Sequence, residues 1–205
     1  MSELQNRIVG VVGRKGTGKT RRVRELLDYC PRFIVFDVTD EYSIEGTNRF
    51  ESSQGLRRFL TWSRQQPTFG GVYVPSQPPD EEIEEVSRLV YERGDLCLVC
   101  EEVPLYTQAG YMPPLLGKLV RTGRHQKIDF TWTAQRAAEV PKTITALTDI
   151  WVLFSQVEPR DLTALAERCG REVADHVANL GLHDYFVWDA TAHAEVEDSP
   201  RLLKR

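Results

Sequence analysis

Short apolar runs alternate with segments whose apolar residues recur every three or four positions along nearly the whole chain. Arg7–Val12 is a β-branched run broken only by Gly10, which predicts a buried strand. Val23, Leu26, Leu27 and Cys30 follow at helical spacing, and Pro31 stops that helix. Phe33–Phe36 predicts a second strand, ending at Asp37. Leu56, Phe59 and Leu60 predict a helix that ends near Pro67, and Val72–Val74 a third short strand. Ile83, Val86, Leu89 and Val90 share one face of an acidic helix starting near Pro79 and Asp80, and Leu96–Cys100 is the fourth and most apolar strand.

The second half keeps the pattern. Leu115, Leu116, Leu119 and Val120 predict a helix after Pro113 and Pro114, residues that suit a helix start. Ile128–Thr133 and Ile150–Phe154 read as strands, and Leu162, Leu165, Ala166 and Cys169 as a helix closed by Gly170. Tyr185–Trp188 predicts a last strand, with a short hairpin into Ala192–Val196. Strands apolar on both faces and separated by helices imply an α/β fold with a mainly parallel sheet covered on both sides. The pattern predicts one domain over residues 1–198 and a basic tail over residues 199–205.

Composition narrows the class. Hydrophobic residues are 41% and charged residues 27% of 205, as in an ordinary globule. No apolar run exceeds five residues, against the ~20 that a membrane helix needs. Met1–Arg7 lacks an apolar core behind a basic start, so no secretory signal is expected. With 26 Lys and Arg against 30 Asp and Glu, net charge is −4, so any contact with nucleic acid must use a local patch. Cys97 and Cys100 fall three apart within a strand and point to opposite faces, which excludes a shared metal or disulfide. They read as core, and the expected compartment is reducing. The four histidines have no ligand spacing.

Gly13–Thr20 fits G-x-x-x-x-G-K-[ST] at every fixed position, between a predicted strand and a predicted helix. Glycines allow backbone N–H groups to turn inward on phosphates, and the helix N-terminus adds partial positive charge. The nucleotide-binding set is then Gly13, Lys15, Gly16, Thr17, Gly18, Lys19, Thr20 and Arg21, with Lys19 reaching the β- and γ-phosphates of ATP and Thr20 ligating Mg²⁺.

Four apolar residues end at Glu101-Glu102. Beside a phosphate loop, the first acid of such a pair holds the Mg²⁺ shell and the second polarises the attacking water. Glu101 stands where aspartate is usual, and its extra methylene favours a role through water; Glu102 is the candidate base. A second register puts Cys100 at the aspartate position and Glu101 as base. Two predicted strands separate this pair from the phosphate loop, which favours ATP hydrolysis coupled to motion. Gln135 ends the Ile128–Thr133 strand run at the sheet's carboxyl edge, where it can sense the γ-phosphate or orient water.

The Gly13–Thr20 loop, the Glu101-Glu102 strand, Gly123-Arg124, Gln135, Ala138–Pro141 and Glu158–Asp161 together resemble the HerA–FtsK superfamily of ring-forming DNA-pumping ATPases. Asp37 and Glu41-Tyr42 fit the same group, so the likeness spans roughly Ile8 to Asp189. The resemblance implies a RecA/FtsK-like P-loop NTPase three-layer sandwich, ATP and Mg²⁺ as cofactors, double-stranded DNA as partner, and a pentameric or hexameric ring. It implies an arginine finger supplied in trans, with Arg124 first and Arg121 second; the bland reading is a solvated patch with Lys127, or contact with DNA phosphates. In build the chain resembles the genome-packaging ATPases of icosahedral viruses with internal membranes, a bare motor core. That implies capsid or vertex partners and a place in host cytoplasm or at the virion vertex.

The loop Tyr106–Met112 is the candidate pore element, with Tyr106, Gln108 and Tyr111 as contacts, although it has no Lys or Arg. Competing readings are a plasmid or prophage DNA-transfer ATPase, a nucleotide-gated assembly switch, and a small-molecule kinase. The acidic run Asp80–Glu85 does not resemble the Arg-rich lid of a kinase.

Overall fold

The computed structural model describes residues 7–108 and 110–196. The nine strands among the described residues lie in one sheet: β1 (Ile8–Val12), β2 (Arg32–Phe36), β3 (Asn48–Phe50), β4 (Phe69–Tyr73), β5 (Leu96–Cys100), β6 (Ile128–Ala134), β7 (Ile150–Phe154), β8 (Tyr185–Asp189) and β9 (Ala194–Glu195). Their order is β3-β4-β2-β5-β6-β1-β7-β8-β9. Pairings from β3 to β7 are parallel, and β8 and β9 close the edge as antiparallel strands.

The helices are α1 (Lys19–Leu27), α2 (Ser53–Trp62), α3 (Pro79–Arg93), α4 (Pro114–Thr122), α5 (Lys142–Ala146), α6 (Pro159–Cys169) and α7 (Arg171–Ala178). They cover the two faces unequally. The side chains of α2 to α7 pack with Ile34, Leu98, Phe130 and Leu153 on one face. On the other, Val23, Leu26 and Leu27 of α1 and Tyr42 cover Val9, Val35, Val99 and Val152. The third layer of the sandwich is therefore thin. Cys97 belongs to the α1 face and Cys100 to the opposite face, as the strand period requires, and all four cysteines are free thiols.

Local chemistry sets the boundaries. Pro79 opens α3 with Asp80, Glu81 and Glu82 in its first turn, where carboxylates complement the helix dipole, and Gly94 at φ 64° ends it. Gly170 at φ 98° ends α6, but the chain enters α7 at once, a helix the sequence pattern did not predict. The strand β3 was also unpredicted: two of its three residues are exposed and it pairs only at the sheet edge. The hairpin β8–β9 falls where the pattern placed it, whereas the basic tail over 199–205 lies outside the described residues. No helix among the described residues is long and apolar enough to cross a membrane.

One topological fact positions the site. The phosphate loop and the acidic pair lie on either side of a single strand, since β6 pairs with both β1 and β5. Separation along the chain, read as two strands, becomes adjacency in space.

Candidate functional site

Five segments meet at the carboxyl edge of the sheet: the loop after β1, Asp37 after β2, Glu101 and Glu102 after β5, Gln135 after β6, and Ser155-Gln156 after β7. The first of these is shaped by two glycines. A Cβ on Gly13 would stand 2.4 Å from Phe154 Cβ and 2.8 Å from Thr17 Oγ1, so only glycine lets the loop lie against β7. Gly18 takes φ 108° just ahead of α1, a conformation that L side chains rarely adopt. With α1 starting at Lys19, the N–H groups of Lys19, Thr20 and Arg21 have no partner within the helix and face outward from its N-terminus.

Lys19 Nζ donates to Gly13 O (2.8 Å) and Arg14 O (3.3 Å), curling over its own loop. It also stands 3.5 Å from Glu102 Oε1. Burial pulls the Lys19 ammonium below its usual range, opposed by the Glu102 carboxylate. Thr17 is buried and donates to Arg14 O (2.8 Å), while Lys15 and Gly16 are exposed at the loop tip. The Arg21 side chain pairs with Glu25 at 3.0 Å on the exposed side of α1.

Glu102 adopts φ 43°, ψ 56°, a left-handed conformation that costs a non-glycine residue about 1–2 kcal/mol. Its N–H donates to Thr133 Oγ1 (2.9 Å), and its Oε2 accepts from Gln135 N–H (3.1 Å). The carboxylate is thereby held between the phosphate-loop lysine and the end of β6. Gln135 itself is exposed; its carbonyl accepts from Gln156 Nε2 (2.9 Å), which fixes its backbone, and its side chain makes no hydrogen bond among the described residues. Thr133 and Gln156, which hold the backbones of Glu102 and Gln135, do not stand out in the sequence, because a lone buried Thr or Gln carries no spacing signal.

Glu101 faces a different set. Thr39 Oγ1 donates to Glu101 Oε2 (2.7 Å) and lies 3.3 Å from Asp37 Oδ1. Asp37 also accepts from the N–H groups of Thr39 (3.2 Å) and Tyr42 (2.7 Å). Burial, then the hydrogen bond with Asp37, push the Glu101 carboxyl up to about 9. Thr20 Oγ1 donates to Glu41 Oε2 at 3.2 Å. Every donor here is oxygen, which suits Mg²⁺, and two buried acids crowded together are what a cation would relieve. Among the described residues no three His, Cys, Asp or Glu converge as a metal cage, so such an ion would keep most of its shell as water and phosphate oxygen.

Other expected residues lie elsewhere. Arg124 is exposed in the turn Gly123–Gln126, at the amino-terminal end of β6 and opposite the phosphate loop. Arg121 lies on α4 beside Gly117. Tyr106, expected to meet a ligand strand, is 3% exposed and packs edge-on against Phe36 at 5.3 Å, so it belongs to the core. Gln108 and Tyr111 stay exposed in a small loop closed by their two backbone hydrogen bonds. The two distant segments Ala138–Pro141 and Glu158–Asp161 meet through Asp161, which is fully buried and accepts from Arg136 Nε (3.2 Å) and Ala138 N–H (3.0 Å).

No protein-family model matches the chain, and no curated protein matches it by sequence. Solved structures do resemble it. The genome packaging NTPase B204 from Sulfolobus turreted icosahedral virus 2, in complex with ATP-gammaS, has a TM-score of 0.77 at 18% identity, covering 93% of this chain and 95% of that one. The same protein in complex with AMPPCP gives 0.76 at 18% over the same shares. B204 from Sulfolobus Turreted Icosahedral Virus, described as a DNA-packaging ATPase, gives 0.75 at 18%, covering 94% and 97%. At this identity the likeness establishes the fold, that of a P-loop NTPase.

Proposed function

We propose that this protein is a Mg²⁺-dependent ATPase of the HerA–FtsK type that drives double-stranded DNA, as part of a ring of identical subunits, into a preformed viral capsid. The observation that carries the ATPase reading is the convergence of Lys19, Glu102 and Gln135 at one edge of the sheet, with Glu102 bonded to both neighbours. Shape likeness to packaging NTPases along almost the whole chain supports the packaging role.

The chain's own residues divide the work of hydrolysis. The N–H groups opening α1 and the Lys19 ammonium hold the β- and γ-phosphates. Glu102 accepts a proton from water as its oxygen attacks the γ-phosphorus and the bond to the ADP oxygen breaks. The Gln135 side chain orients that water. A bound Mg²⁺, held by Thr20 and through water by Glu101, would neutralise charge on the phosphate oxygens. Arg124 of a neighbouring subunit stabilises the transferring phosphoryl group. Capsid or vertex proteins supply the docking point.

Steady-state hydrolysis by purified protein with duplex DNA, at concentrations that allow rings, tests this reading. Turnover should exceed that of Lys19→Ala by at least ~10²-fold; equal rates would end the motor proposal.

A further inference from the structure

We infer that the cleft between α4 and the start of α5 binds nucleic-acid backbone phosphate, with Arg121 and Lys142 as its cationic groups. The inference rests on the motor reading above and names where such a motor would grip its polymer. The cleft has a volume of about 290 Å³ and is lined by Gly110, Tyr111, Met112, Gly117, Arg121 and Lys142, among others, with no acid among the described residues of its wall.

Three observations point to a phosphate. First, neither Arg121 nor Lys142 has a carboxylate partner among the described residues, whereas Arg49, Arg57, Arg88 and Arg136 are all tied to acids. In a chain of net charge −4, two cations lining one hollow that has no acid among the described residues make a distinct local potential. Second, the hollow has a shaped wall. A Cβ on Gly117 would lie 3.0 Å from Arg121 Nη1 and 3.0 Å from Met112 Cε. The bare backbone at Gly117 makes room for the guanidinium to fold back along α4, the direction in which helical side chains lean. Third, the cleft adjoins the loop that follows Glu102. Gln108 and Tyr111 pin that loop by mutual backbone hydrogen bonds of 2.8 and 3.0 Å, and Tyr111 is 49% exposed. This loop is the candidate pore element, and the fold supplies from α4 and α5 the positive charge that its sequence lacks.

Contacts of this kind are sequence-independent, as a packaging motor requires, and they read charge along a backbone. The loop that borders this hollow leads back along the chain to Glu102.

Binding of a fluorescent duplex DNA across a salt series tests the cleft, using Arg121→Gln, Lys142→Gln, the double variant, and Arg58→Gln on the exposed face of α2 as control. Each cleft variant should bind about threefold to tenfold more weakly, and lower the slope of log K against log salt by about one. The double variant should lower it by about two, and Arg58→Gln should match wild type. Wild-type affinity and slope in the double variant would overturn the inference. So would saturable binding of inorganic phosphate that the double variant abolishes while duplex affinity stays at the wild-type value, which would assign the hollow to a free anion. DNA-independent hydrolysis by Lys142→Gln should equal wild type. Absent hydrolysis in every protein would count against the ATPase reading and leave the DNA-binding result standing by itself.

Discussion

Lys19 Nζ lies 3.5 Å from Glu102 Oε1 across the end of β6, with both side chains nearly buried. In the proposed site, nucleotide phosphate competes with Glu102 for the Lys19 ammonium, so that binding frees the carboxylate toward water. Glu102→Gln should therefore bind ATP at least as tightly as wild type while hydrolysis falls by ~10²–10⁴-fold. Lys19→Ala should lose ATP binding itself. Titration with a fluorescent ATP analogue, together with single-turnover hydrolysis, separates the two; near-normal turnover in Glu102→Gln would move the base elsewhere.

Glu101 makes a pH prediction with a definite sign. Its carboxyl is pushed up to about 9 by burial and by Asp37, whereas a glutamate in the unfolded chain titrates near ~4.3. Between these values the folded chain holds a proton that the unfolded chain has released, so stability falls as pH rises. Thermal melts of the nucleotide-free protein from about pH 5.5 to about pH 8.5 should show that decline, and Glu101→Gln should reduce its slope by up to one proton. Parallel slopes for the two proteins would show that the fold does not hold Glu101 protonated in this range.

How much of this was legible depends on where each residue's information lies. The strands β1, β5 and β7 are buried on both faces, so each is a run of apolar residues that the sequence displays openly. Edge strand β3 has only Phe50 partly buried, and three residues give no period to detect. The helix α7 starts directly after Gly170, with Val173, Ala174 and Val177 as its whole buried face, so the stop signal hid the start. In the site, Gly13–Thr20, Glu102 and Gln135 stood out because their chemistry restricts residue type or strand position. Thr39, Thr133 and Gln156 act only as hydrogen-bond partners, a role that many residue types could fill and that topology alone reveals. Tyr106 was misread because an aromatic residue in a loop looks exposed until its packing against Phe36 is seen.

Gly10 in β1 is predicted to tolerate no side chain. A Cβ there would stand 2.4 Å from Trp132 Cζ2 and 2.7 Å from Cε2. The indole cannot step aside freely: it is fully buried, donates to Thr148 Oγ1 (3.0 Å), and meets Trp151 edge-on at 5.5 Å. Gly10→Ala should lower stability by about 1–3 kcal/mol through overpacking, and a smaller ring in Gly10→Ala/Trp132→Phe should recover part of that. Urea denaturation measures both. An unchanged midpoint in the single variant would show that the strand moves more freely than this packing allows.

Arg124 precedes β6, whereas Gln135 follows it, and the seven-residue strand between them spans roughly 23 Å. An arginine at that end cannot reach the phosphate loop of its own subunit, because the loop lies at the carboxyl edge beside Gln135. If Arg124 completes a catalytic site, that site belongs to a neighbour. The proposed ring then predicts a specific mixing behaviour. Arg124→Ala should bind ATP normally yet hydrolyse it ~10³–10⁵-fold more slowly, the range expected for a missing arginine finger. Mixed with wild type before assembly, it should leave each adjoining wild-type site unable to fire. If translocation needs neighbouring subunits to act together, activity should fall more steeply than the fraction of variant added. A strictly linear decline in DNA-stimulated hydrolysis, with ATP binding intact, would place the finger on another residue or leave the sites independent.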